Sequence, residues 1–150
     1  MRTLDIDWAD LELAFRDATG AKSWLDRETG EVLTLVPGFD DEADLKGKLC
    51  TSPQRFAPLA PVDTSFTLEV LRAFIERSTG TLKRQLDEAA TGPGGLARAM
   101  ALLKGDGTTW ARFARLEQQA LMARIERFLA EQGIQAGTSA PAPDLFEGQA

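Results

Sequence analysis

The chain has 150 residues, 43% hydrophobic and 27% charged, with a net charge of −6. That length suits one domain that buries its own core, and no apolar run nears the roughly 18 residues needed to span a bilayer. Histidine is absent and cysteine occurs once, at Cys50, which excludes histidine-assisted hydrolysis, imidazole zinc sites and an internal disulfide.

The opening residues, through Asp5, Ile6 and Asp7, carry acids where a signal peptide needs an apolar stretch. A cytoplasmic location without a membrane span is therefore expected. The first helix is expected from Asp7 to Ala18. Trp8, Leu11 and Phe15 recur at helical steps, Asp7 suits the N-cap, and Gly20 ends it. Two strand-like runs follow, Lys22–Asp26 and Glu31–Val36, around Arg27-Glu-Thr-Gly. A loop ending in glycine predicts a type I turn followed by a bulge, with Gly30 left-handed. Pro37 and Gly38 stop the second strand.

Residues 38–54 are polar and acidic and read as a loop with room for one helical turn. Phe56, Pro58 and Pro61 lie in a third strand-like run. Proline cannot donate to a ladder, so this strand belongs at a sheet edge. Four helices are expected after it. The first covers Ser65 to Ser78, with Leu68, Leu71, Phe74 and Ile75 on one face and Thr64 or Ser65 as cap. Thr81 to Ala90 and Leu96 to Lys104 follow, separated by Gly92-Pro-Gly-Gly. The last runs from about Thr109 to Gln132 on a stripe of Trp110, Phe113, Leu121, Ile125 and Phe128. From Gln135 the composition predicts a disordered tail, 135–150. The fold class expected is α+β, one domain over 1–134. In it an N-terminal helix and a small antiparallel three-stranded sheet pack on a C-terminal bundle of about four helices.

Charge is uneven. Residues 1–64 hold 7 basic and 13 acidic side chains, whereas residues 65–134 hold 10 basic and 8 acidic. Asp26, Glu28 and Glu31 gather at the turn. Three carboxylates offer oxygen ligands to a hard cation, but the spacing lacks the longer loop of an EF-hand. Turn amides bonded by Asp26 are the simpler account. Gly92-Pro-Gly-Gly lacks the Gly-Lys-Ser/Thr of a phosphate-binding loop, so it reads as a helix connection, with Arg98 as a small anion-binding feature. The Trp110–Phe128 stripe reads as core. Arg112, Arg115, Arg124 and Arg127 lie mainly off that stripe among Glu117, Glu126 and Glu131, as on a solvated face. Cys50 lacks an activating histidine and reads as an inert thiol.

Leu25-Asp-Arg-Glu-Thr-Gly-Glu-Val resembles the hairpin signature of uncharacterised bacterial protein family 0158 (UPF 0158). The similarity extends in order over residues 7–135. It takes in Leu11-Glu-Leu-Ala-Phe, Phe56-Ala-Pro-Leu-Ala-Pro, Ala73-Phe-Ile-Glu, the glycine-rich turn and Arg127-Phe-Leu-Ala-Glu-Gln-Gly-Ile. The family's Gly-x-Gly-Ala-Phe-Arg-Arg-Phe-Lys segment falls on Gly92 to Met100, where the glycines and Arg98 remain and both aromatics are missing. The resemblance implies no cofactor and no substrate.

No catalytic, cofactor or metal residue is assigned from the sequence. The expected function is a non-enzymatic protein-interaction or regulatory module of a bacterial cytosolic protein. Its candidate surface is Asp26, Glu28, Gly30, Arg98, Arg112 and Arg115. The alternatives are nucleic-acid binding through the basic face of the later helices, which the net charge disfavours, and a carboxylate-based or metal-dependent enzyme.

Overall fold

The computed structural model describes residues 2–36, 38 and 42–137. In chain order these form β1 (Arg2–Leu4), α1 (Trp8–Arg16), β2 (Lys22–Asp26), β3 (Val32–Leu35), α2 (Glu42–Thr51) and β4 (Phe56–Pro58). Then come α3 (Thr64–Arg77), α4 (Gly80–Ala89), α5 (Gly95–Lys104), α6 (Gly107–Glu131) and β5 (Ile134–Ala136). The fold is α+β, as expected. Where the length suits one domain, the described residues divide into two compact units, residues 2–62 with 122–137, and residues 63–121.

In the first unit, β2 pairs antiparallel with β3 and β4, in the order β3-β2-β4. Proline-bearing β4 takes the edge, as its missing N–H requires. Alternation along β2 sends Ser23 and Leu25 to one face and Trp24 and Asp26 to the other. Leu25 is fully buried, together with Leu11 of α1. Asp7 accepts the Asp10 amide at 3.1 Å and starts α1 as expected. Phe15 meets Phe128 edge-on, with ring centroids 5.6 Å apart. Ile125 and Leu129, later on α6, are also buried.

Two differences from the sequence expectations share a physical reason, the lack of a strong apolar period. The expected loop over 38–54 contains α2. Its mixed polar sequence buries only Leu45, so apolar periodicity is weak. Acids in its first turn, and the Glu42–Lys46 pair at 2.9 Å, stabilise it instead. Residues 135–136, read as the start of the tail, belong to β5. That strand pairs in parallel with β1, Arg2 opposite Ile134. Two three-residue strands so far apart in sequence leave no periodic trace. The stop at Pro37, the acids Asp40 and Asp41, and residues 138–150 of the expected tail lie outside the described residues.

The second unit holds α3, α4, α5 and α6 as far as Leu121. Asp63 caps α3 by accepting the Ser65 amide at 3.0 Å, in place of the expected Thr64 or Ser65. Phe74 meets Phe113 edge-on at 5.7 Å, and Trp110 stacks on Phe113 at 5.6 Å. Leu71, Leu86, Leu103 and Leu121 are fully buried or nearly so. The aromatic stripe is thus core in its central part. Among the described residues, no helix is long and apolar enough to cross a membrane.

Candidate functional site

Asp26 ends β2, and the chain must reverse at once. The Gly30 amide donates to the Asp26 carbonyl at 2.8 Å, and Gly30 adopts φ +83°. A Cβ there would collide with the Asp5 carbonyl oxygen, so glycine is required by conformation and by space. The Asp26 side chain faces back into the turn. Its Oδ1 accepts the amides of Glu28 at 2.9 Å and Thr29 at 3.4 Å.

Pairing of β4 beside β2 then places Arg55 next to Asp26. Arg55 Nε donates to Oδ1 at 2.9 Å and Nη2 to Oδ2 at 2.8 Å, a two-pronged pair. Its Nη1 reaches Glu28 Oε2 at 3.1 Å. Asp26 is only 3% exposed. Burial pushes its carboxyl up, but the Arg55 guanidinium and the turn hydrogen bonds outweigh that and hold it down at about 2. The bond to Asp26 in turn raises the Arg55 guanidinium above its ordinary value. At neutral pH Asp26 is ionised with both oxygens engaged.

Arg55 borders two concavities of about 540 Å³ each. One lies beside α2, where Thr29, Glu31, Leu33, Lys48 and Phe56 join Asp26 and Arg55. The other gathers Arg2, Arg27 and Arg55 with Glu28, Gln54 and Gln132. The β1–β5 pairing brings Arg2 there, and its amide donates to the Gly133 carbonyl at 2.9 Å. Arg2 Nη1 also donates to the Arg27 carbonyl at 2.9 Å. Arg27 donates to the carbonyls of Gln54 at 3.1 Å and Gln132 at 3.4 Å. Among the described residues, neither Arg2 nor Arg27 forms an ion pair with a carboxylate. A third concavity, between α1 and the hairpin, is lined by Asp10, Leu13, Ala14, Asp17, Val32 and Thr34, with Leu13 68% exposed.

The residues singled out from sequence divide between the two units. Asp26, Glu28 and Gly30 come together around Arg55. Glu31 lines the concavity beside α2, and no group of three or more Cys, Asp or Glu among the described residues could hold a metal ion. Arg98, Arg112 and Arg115 belong to the second unit. Arg98 donates to the carbonyls of Ala89 at 3.0 Å, Pro93 at 2.8 Å and Thr91. Arg112 lies over the Phe74 ring at 5.8 Å, and Arg115 is exposed. Arg2, Arg27 and Arg55 carried no signal as a group, because only strand pairing makes them neighbours. No family model, no curated protein and no solved structure matches this chain.

Proposed function

We propose that this chain is a non-enzymatic protein-interaction or regulatory module of a bacterial cytosolic protein, and a divergent member of uncharacterised protein family 0158. The state of Asp26 carries this reading. It is the buried charged side chain among the described residues. A general acid or base works best with a pKa near the operating pH. Asp26 sits near 2, with its oxygens taken by Arg55 and two turn amides. It therefore acts as a structural anchor. The concavities beside it, one of mixed lining and one rich in guanidinium groups, suit recognition of a surface.

A nucleic-acid reading draws on Arg98, Arg112 and Arg115. Arg98 is occupied by three carbonyls and Arg112 lies against Phe74, which favours the protein reading. Affinity capture on the immobilised chain, followed by reconstitution from purified components, tests it. A protein that re-forms a stoichiometric complex is the expected result. Capture of nothing above background, together with a salt-sensitive mobility shift of an RNA or DNA probe, would reverse the preference.

A further inference from the structure

We infer that the concavity of Arg2, Arg27 and Arg55 binds a single carboxylate group presented by a partner polypeptide. The polypeptide part of this inference rests on the interaction reading above. A guanidinium has five N–H donors in a fixed fork that matches a carboxylate. The bonds to backbone carbonyls use one donor of Arg2 and two of Arg27. Those carbonyls hold the two side chains in place without neutralising them. Placement in advance lowers the ordering cost when a ligand arrives.

The concavity already contains a carboxylate on a guanidinium, Glu28 on Arg55 at 3.1 Å. Arg55 is thereby balanced by Asp26 and Glu28, whereas Arg2 and Arg27 keep their charge among the described residues. Two uncompensated cations in one concavity are out of keeping with the acid-rich first 64 residues. The same surroundings choose the ligand. Glu28 at the rim repels a dianionic phosphate more than a monoanionic carboxylate. A nucleic-acid backbone needs a row of cations for successive phosphates, and this concavity holds a single cluster.

The test is titration of the full chain with an end-blocked alanine peptide carrying one central glutamate. Its glutamine counterpart and inorganic phosphate are the comparisons. Arginine Nε–H signals are read by NMR. The glutamate peptide is expected to shift the Arg2 and Arg27 signals saturably, and the glutamine peptide is not. Arg2→Gln is expected to weaken binding about fivefold, with Arg2→Lys in between. Raising salt from about 50 to about 300 mM is expected to weaken it further. Arg27→Gln also removes ties to Gln54 and Gln132, so Arg2→Gln, with one exposed bond to lose, is the deciding variant. Equal response to both peptides, indifference to Arg2→Gln, or tighter binding of inorganic phosphate would overturn the inference. If the peptide titration fails while a captured protein still re-forms its complex, the carboxylate site is wrong and the interaction reading stands. If capture fails while the glutamate-specific response holds, the interaction reading falls together with the polypeptide part of the inference, and the carboxylate site stands.

Discussion

The turns at Asp26–Gly30 and Gly92–Gly95 both depend on glycine and both recruit one arginine, yet they are built with opposite polarity. At the first, a buried carboxylate collects turn amides and Arg55 reaches in from another strand. At the second, Arg98, one turn into α5, folds back on the carbonyls of Ala89, Thr91 and Pro93. The first turn centres on a buried carboxylate, which titrates, paired with a guanidinium that is still partly in water. The second is an exposed set of neutral acceptors, which does not titrate. A charged group gains structural weight when water is removed from it, not merely when it has many partners.

Gly30→Ala offers the largest expected effect that separates the two turns. It combines a left-handed φ with a collision against the Asp5 carbonyl, and is expected to cost about 4 kcal/mol in urea denaturation. Next comes Asp26→Asn, which leaves Arg55 without its buried partner. Because Arg55 is partly in water and keeps Glu28, a loss of about 2 kcal/mol is expected, and a loss under that of Arg98→Ala would remove the distinction between the turns.

Acid is the third means of separating them. The Asp26 carboxyl lies lower in the folded chain, at about 2, than its ordinary 3.8. Its stabilisation is therefore complete above pH 4 or so, and is lost as pH falls toward about 2. The loss is about 2 kcal/mol. Melting between those pH values is expected to show this slope in the native chain and to lack the Asp26 contribution in Asp26→Asn. The smallest effects belong to the second turn. Gly92 has φ +78° but open space around its Cβ position, so Gly92→Ala is expected to cost about 1 kcal/mol. Arg98→Ala should cost a similar amount, about 1 kcal/mol, since its three acceptors return to water. Both are measurable by the same denaturation.

The features legible in advance are those whose cause lies within a few residues. The hairpin was one, because Gly30 must turn left-handed whatever surrounds it. The helices α3 to α6 were others, since their apolar positions recur every three or four residues. The edge place of β4 followed from Pro58. What was missed left no apolar period to read. The helix α2 is held by acids at its start and one buried leucine, not by a stripe. The strands β1 and β5 are three residues each and exist through one another.

The hairpin with Gly30 left-handed, and the carboxylate of Asp26 turned onto its own loop, were determined by the sequence alone, because sterics and turn hydrogen bonds act over short range. Tertiary structure decided that Asp26 is anchored by Arg55, and that Arg2 and Arg27 share a concavity. Charge carries no address along a chain. Only the pairing of β4 with β2, and of β1 with β5, brings those guanidinium groups from distant positions to one place.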